Sequence, residues 1–403
     1  HIFAEQDFNR INFDFPVVSG LYRLGTVKEG RYVCLERRAD WWQREAQRSR
    51  GVGNFQTLKF KFFAERDNAF EAFKKGELDL FPVYTAHLWA TQAAGDKFAK
   101  HWIIKQKIHN YQPIGFQGFA MNRRRAPFDD LRVRRALALL LDRPRLNREL
   151  MHGQYFLHRS YFEDLYSSAH PPPPPPTPFD PDQARQLLAQ AGWHANPRSG
   201  WLEKEGRPLR FHFLSRESTT DKFLVIYQQA LKAVGIEMLI DKKDWAAWAK
   251  DMDEFNFDMT WAAWSAGTRK DPEPMWLSSE AERRSGQNLS GLKNPEIDQL
   301  IIRQRSLFDI QARHAICRQI DALLLEQVPY VLLWNIDYTR LLYWNKFGMP
   351  ATLLGKYGDE RAAYWLWWLD ADAAAELEDA QRANLPLPAR PDTIRFDEVW
   401  QEP

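Results

Sequence analysis

The sequence predicts an α/β protein built from more than one folding unit, and three observations point there. The chain has 403 residues, beyond the size at which a single hydrophobic core keeps growing. Between Leu209 and Trp264, extended apolar segments alternate with helix-patterned ones in the order β-α-β-α-β, the pattern of an open sheet whose ligands sit at the carboxyl ends of its strands. A shorter β-α-β pattern covers residues 58 to 81.

From the amino-terminal side, "VSGLYRLGTV" (Val18–Val27) and "RYVCLERR" (Arg31–Arg38) alternate with period two, and "KEG" between them predicts a hairpin with Gly30 in the turn. "LKFKFF" (Leu58–Phe63) is a strand, and Ala69, Phe70 and Phe73 then form a helical stripe stopped by Gly76. "ELDLF" returns as a strand, which predicts a parallel pair with the strand before the helix. After the extended, Gly-rich "YQPIGFQGFAMN" (Tyr111–Asn122) the pattern turns helical, with Val133, Ala136, Leu137, Leu140 and Leu141 on one face and Asp129 or Asp130 placed to cap it.

Pro171 to Pro176 form a hexaproline that, as polyproline II, extends roughly 19 Å at ~3.1 Å per residue. The α/β rhythm resumes unchanged after it, which favours a stiff surface loop over an interdomain linker. "FDPDQARQLLAQAGW" carries a full set of helix punctuation, with Asp180 at the N-cap, Pro181 in the first turn and Gly192 at the C-terminal cap. The strand "LRFHFL", the helix Asp221 to Gly235, the strand "IEMLI", a helix containing "DWAAWAKDM" and the strand "FDMTWAAW" follow in order. Asn294 to Gln327 holds two helices, and "VPYVLLWN" (Val328–Asn335) is a strand too continuously apolar for an exposed edge. Residues 371 to 403 are polar and contain proline, a tail predicted to fray beyond about 372.

Charge is nearly balanced, 55 basic against 53 acidic residues, so neither nucleic acid nor a polyanion is indicated as partner. Aromatic residues make up 14% of the chain and include 17 tryptophans, a content that suits both cores and ligand clefts. Cys34 and Cys317 stand alone among apolar neighbours, which indicates buried thiols rather than a zinc site or a disulfide scaffold. No run approaches the ~18 apolar residues of a membrane span. The chain opens at His1, without Met or a charged-then-apolar leader, so the expectation is of a processed or truncated chain with no signal peptide in it.

Catalytic constellations are missing from the sequence: there is no GxSxG elbow, HExxH, Walker loop or GxGxxG opening a helix. The ten histidines are scattered without metal-ligand spacing, and no pair of carboxylates is singled out by position. The run "NRRRAP" reads as a solvated rim more readily than as a phosphate site. Two lobes rich in aromatics without catalytic machinery favour binding.

Four ordered motifs narrow that further. "VVSGLYRLGTVKEGRYVCLERRADWW" carries a Gly-x-Tyr strand, a turn and an Arg-containing strand that runs on to Trp, and "FFAERDNAFEAFKKGELDLFP" a helix ending in Gly-Glu-x-Asp. "MNRRRAPFDDLRVRRALALLLDRPRLNRELMHG" carries Asn, Pro-Phe-x-Asp, Arg-x-Arg-x-Ala and Asp-Arg, and "FDPDQARQLLAQAGW" an Asp-Pro, Leu-Leu, Ala-Gly helix. In these the chain resembles, over nearly its whole length, the dipeptide/oligopeptide/nickel family (family 5) of extracellular solute-binding proteins that feed ABC importers. "SGLKNPEIDQLI", "YWNKFGMP" and "YWLWW" are similar to the branch associated with longer oligopeptides and the peptide antibiotic microcin C.

The resemblance implies a two-lobed, periplasmic binding protein type II-like α/β fold of the large peptide-binding class, incomplete at the N-terminus, since the family's opening segment of lobe I is not recognisable here. It places lobe I in residues 1–118, lobe II in 119–339 and the return to lobe I in 340–403. It further implies a monomeric, periplasmic receptor that captures oligopeptides and delivers them to the permease subunits of a membrane transporter, with no catalysis, cofactor, metal or nucleic acid. In that mapping Phe116, Gln117, Phe119 and Asn122 line a hinge strand, Trp264 and Ser265 offer indole and backbone contacts, and Trp334 and Asn335 close the back. Trp261 is expected in the core and Trp264 in the cleft. Dipeptide-binding members carry an Asp just after the position of Trp264, whereas here Ser265, Ala266, Gly267 and Thr268 precede the first acid, Asp271. Two alternatives stay open: a glycan-binding or glycan-active protein with an aromatic cleft, and a fragment without independent activity.

Overall fold

A computed structural model describes residues 18–175, 178–216 and 220–400. The chain forms two compact units, one made of the described residues up to Gln112 together with those from Asp337 onward, the other of Pro113–Ile336. These junctions fall just before two strands and leave each whole, whereas the expected boundaries at 118/119 and 339/340 would cut both.

In the first unit, β1 (Tyr22–Lys28) and β2 (Tyr32–Arg37) form the expected antiparallel hairpin, and β3 (Thr57–Lys61) adds to its free side. Gly30 takes a φ of +64° in the turn, where a residue without Cβ carries no penalty. Helix Arg66–Lys74 buries Phe70, Ala72 and Phe73, and β4 (Leu80–Pro82) and β5 (Ile103–His109) follow. The predicted parallel pair is not formed, because β3 is the edge of one sheet and β4 the edge of another. β4 takes its partner from a strand some 260 residues further on (Leu341↔Pro82), a choice local pattern cannot reveal.

The second unit opens with β6 (Gln117–Met121) and two helices, Leu131–Leu139 and Arg143–Leu150, capped by the side chains of Asp130 and Asp142. β7 (Phe156–Leu157) precedes the proline run, whose described members, Pro171 to Pro175, form a loop inside this unit; Pro176 lies outside the described residues. Helix Pro181–Gln190, capped by Asp180, leads to a small sheet of β8 (His194–Ala195), β9 (Leu202–Lys204) and β10 (Arg207–Pro208). The predicted β-α-β-α-β series then appears as β11 (Arg210–Ser215), helix Asp221–Lys232, β12 (Glu237–Lys242), helix Trp245–Asp253 and β13 (Met259–Ala263). Helices Pro295–Arg305 and Ile310–Gln327 follow, and β14 (Tyr330–Leu332) and β15 (Trp334–Asn335) close the unit.

The main sheet has the order β12-β11-β13-β6-β14, with β11 parallel to β12 and β13, and β6 antiparallel to both its neighbours. β14 is thus an edge strand, against expectation. Its apolar run is nonetheless satisfied, because Tyr330, Val331 and Leu332 are all buried. Strand alternation sends Phe119, Phe213 and Trp261 to one face, where Phe119 packs against the other two and against Tyr227. Phe116, Ala120 and Ala262 face the other way, into a core shared with Trp276, Tyr330, Ile301 and Ile320. Full burial of one such phenylalanine contributes about 2–3 kcal/mol.

The first unit resumes with β16 (Thr339–Trp344), which pairs antiparallel with β4 and β5. β17 (Phe347–Gly348) pairs with β18 (Trp368–Leu369). Of the tail expected to fray beyond about 372, the described part, up to residue 400, is ordered instead. Asp370 caps helix Ala371–Ala383, Leu377 and Ala380 are buried, and β19 (Thr393–Arg395) lies parallel to β5. A polar composition hid a docked helix because only one narrow face of it is apolar.

Candidate functional site

A cavity of about 520 Å³ opens at one edge of the main sheet of the second unit, walled by Leu214, Ser215 and Arg216 at the end of β11, by Thr260 to Trp264 along β13 and beyond it, by Gln117 at the start of β6, and by Trp248 and Met252. Because β6 runs antiparallel to β11 and β13, its first residue and their last residues meet at this edge, the usual ligand position in an open α/β sheet. A larger cavity of about 890 Å³ lies beneath the proline run, with Phe156, Tyr166, Pro172 and Pro175 in its wall. It gathers none of the ends of the parallel strands, so the smaller cavity is the candidate.

Gln117 is the polar centre of this wall. Its Nε2 donates to the Trp334 carbonyl at 2.7 Å, and its Oε1 accepts from the Trp261 indole N–H at 3.0 Å. The amide is therefore used at both ends, and it holds the Trp261 ring in one orientation. Trp261 packs edge-on against Phe119 and Trp334. It is half-buried in the cavity wall rather than enclosed in the core as expected. Trp264 lies three positions on, on the opposite face of the strand, and its backbone N–H donates to the Phe116 carbonyl at 2.8 Å. Gly115 makes this approach possible, because a Cβ there would collide with the Trp264 carbonyl.

The loop after Trp264 is pinned at Lys270. The Lys270 side chain is buried, and its Nζ lies 2.5 Å from Asp164 Oδ2. Asp271 is exposed, its Oδ1 accepting from the backbone N–H of Glu273, and it lines no part of the cavity. The one charged side chain among the described residues lining the cavity is Arg216. Its guanidinium lies 4.9 Å from the Trp245 ring centroid and 5.1 Å from that of Trp248. The two indoles stack on each other at 5.4 Å, and Trp245 is 60% exposed, giving a flat aromatic face with a cation beside it.

Of the residues singled out from sequence, the structure brings Gln117 and Trp264 together in the cavity wall. Trp334 stands behind it, buried against Phe223 and Trp261. Phe116 and Phe119 lie in the cores on the two faces of the sheet. Asn122 is fully buried and donates to the carbonyls of Phe255 (3.0 Å) and Phe257 (2.8 Å), which ties β6 to the turn before β13. Ser265 is exposed beside the cavity, and Asn335 donates to the Gly115 carbonyl at 3.0 Å. The arginine run is an internal clasp rather than a rim at Arg124, which donates to the carbonyls of Ala281, Asn288 and Leu289. Ser215, Arg216 and Trp248 were not singled out, although Arg216 follows β11 just as Trp264 follows β13.

Residues 2–285 match the model of the bacterial extracellular solute-binding proteins, family 5 Middle. The chain belongs to this family. It is 28% identical over 408 residues to the uncharacterized protein YejA of Escherichia coli strain K12, covering 91% of this chain and 65% of that protein. It is 28% identical over 383 residues to the probable peptide-binding protein YejA of Agrobacterium fabrum, covering 86% and 62%. Among solved structures, the oligopeptide-binding protein AppA from Bacillus subtilis, in complex with a nonapeptide, superposes with a TM-score of 0.70 at 23% identity over 87% of this chain and 66% of that one. This likeness gives the family 5 chain the two-lobed α/β fold of the periplasmic binding proteins. The chain spans 62–65% of the length of curated relatives that it matches. Among the described residues, no helix is long and apolar enough to cross a membrane, and no cluster of three His, Cys, Asp or Glu is placed to hold a metal ion.

Proposed function

We propose that the chain is the ligand-capturing part of an ABC peptide importer, a non-catalytic, monomeric receptor that acts outside the cytoplasmic membrane and hands oligopeptides to permease subunits. The observation that carries this reading is the cavity at the strand ends, where an oriented amide (Gln117), two indoles (Trp261 and Trp264) and one cation (Arg216) converge. Roomy aromatic walls tolerate variable side chains, and a guanidinium in the wall suits acidic or carboxyl-terminal groups, onto which it forks. Among the described residues no carboxylate stands in the wall; Glu217, between Arg216 and Thr220, lies outside them. The lack of an acid between Trp264 and Asp271 favours longer or modified peptides, of which microcin C is the type the sequence pattern suggested, over dipeptides. Ser265 and Asn335 belong to the same proposal as backbone and flanking contacts.

Calorimetry at neutral pH with synthetic oligopeptides tests this directly. We expect Trp264→Ala to lower the affinity for the best peptide by about tenfold or more, and Arg216→Ala to act on peptides with a free carboxylate and not on their amides. Unchanged affinity in both variants would refute the assignment. A second reading, a ligand that carries a sugar, draws on the exposed Trp245 stacked on Trp248, since aromatic faces also stack pyranose rings. Thermal protection by oligosaccharides but not by peptides would select it.

A further inference from the structure

Behind Gln117 lies His158, whose side chain has no exposed surface. The ring makes two polar contacts: Nδ1 is 3.2 Å from Glu163 Oε1, and Nε2 is 3.4 Å from the Gln117 backbone nitrogen, whose N–H points at it. An N–H donates only to a bare ring nitrogen, so Nε2 carries no proton and the single proton of the neutral ring sits on Nδ1, donated to Glu163. The carboxylate is fixed in turn, since Oε1 also accepts from the backbone N–H groups of Arg159 (2.5 Å) and Ser160 (3.0 Å). The main chain of His158 is tied down as well, its N–H donating to the Leu333 carbonyl and its own carbonyl accepting from Arg143, both at 3.0 Å.

We propose that His158 is a positioning residue for the ligand cavity: its bare Nε2 holds the Gln117 main chain where the Gln117 amide can orient Trp261, and protonation of the ring releases that hold and weakens ligand binding. The proposal rests on reading the cavity as the ligand site. On protonation, Nε2 gains a hydrogen that faces the Gln117 N–H, so an attraction becomes a repulsion between two donors. The charged groups facing the ring are Glu163, from the turn Glu163–Leu165, and Arg143, from the helix before β7. Burial and the Arg143 charge favour the neutral ring while Glu163 favours the charged one; burial prevails and holds the ring below the ordinary histidine value. The cavity is therefore fully formed at neutral pH and loosens in acid.

The test uses amino-acetylated synthetic oligopeptides lacking His, so that the ligand itself does not titrate. Between about pH 7.5 and a pH below the ring's own titration midpoint, read from nitrogen NMR of the ring, the unaltered chain is expected to lose about tenfold in affinity, the worth of one charge-sensitive hydrogen bond. His158→Gln offers an amide oxygen to the same N–H without titrating, so its affinity should stay level. Glu163→Gln removes the group that favours the charged ring, so the loss should move to lower pH. A level profile in the unaltered chain, a parallel fall in His158→Gln, or an upward move in Glu163→Gln overturns the proposal. Nitrogen NMR of the ring, together with the Gln117 amide signal, needs no ligand. The expected result is an Nδ1–H tautomer and a Gln117 amide shift that follows its titration; an Nε2–H tautomer, or an amide that ignores the titration, overturns it. If no peptide binds at any pH, the ligand reading of the cavity fails while these spectra still decide the role of His158. If His158→Gln does not fold, Glu163→Gln and the spectra carry the test.

Discussion

The buried pair between Lys270 and Asp164 makes an asymmetric prediction. The Lys270 side chain is 3% exposed and that of Asp164 20% exposed, so the two partners do not leave equivalent holes. Asp164→Asn strands an ammonium with almost no access to water, and breaking a buried pair from that side costs about 3–5 kcal/mol. Lys270→Met strands a carboxylate that still touches solvent, while the methionine refills the volume of the lysine stem; a cost of about 1–2 kcal/mol is expected after solvent screening. The double variant carries no unpaired charge, so it should be more stable than Asp164→Asn alone, with a coupling of about 2 kcal/mol. Urea unfolding followed by tryptophan fluorescence and far-UV circular dichroism together measures these values, two probes being needed because two units need not unfold as one. Equal costs for the two single variants, or costs that simply add in the double, would refute the reasoning. Under the proposed function the pair matters because Lys270 ends the loop that begins at Trp264, and its carbonyl is held by Gln304 (2.9 Å) and Arg313 (3.2 Å).

Further outcomes follow from other contacts. Gly115→Ala forces two backbones apart, so a loss of about 1–3 kcal/mol in stability is expected together with weaker ligand binding; an unchanged melting temperature would contradict it. The Cys317 thiol is fully buried, and burial pushes it up to about 11, whereas Cys34 lies half-exposed in β2. A thiol reagent should therefore modify Cys34 in the native chain and reach Cys317 only after unfolding, and equal rates would argue against the burial. Because the folded state depresses the His158 pKa, the unfolded chain binds the extra proton more readily. The stability contributed by the neutral ring is complete above about pH 6.5 and is lost as the pH falls below that value. His158→Gln should remove this part of the acid sensitivity in pH-dependent denaturation, and an identical pH dependence would count against it.

The β-α-β-α-β series from Arg210 to Ala263 was legible because its elements announce themselves locally by periodicity, as the helices before it do by the caps Asp130 and Asp180. Partner choice was not, since β4 and β5 draw their neighbours β16 and β19 from the far end of the chain. At the site, the strand that carries Trp261 and leads to Trp264 could be read, but not that both indoles would reach the cavity. Parity places a side chain on a face, and at a strand end both faces reach the opening. Gln117 and Phe119 share a face of β6, yet only Gln117 stands at the open end. The pairing of His158 with Gln117 spans 41 residues and joins a loop to a strand, so no spacing rule could have suggested it.

The way Pro113–Ile336 sits within the chain has a consequence for synthesis. The entry and exit of this insertion are stitched together where Asn335 meets the Gly115 carbonyl, so all the strands and helices it needs are present once Ile336 has left the ribosome. The other unit cannot finish then. β16 lies between β5 and β4, and β19 covers the far side of β5, so strands made early must wait for partners made last. The inserted unit is free to fold first, while the other keeps the edges of β4 and β5 unpaired until β16 and β19 have been made.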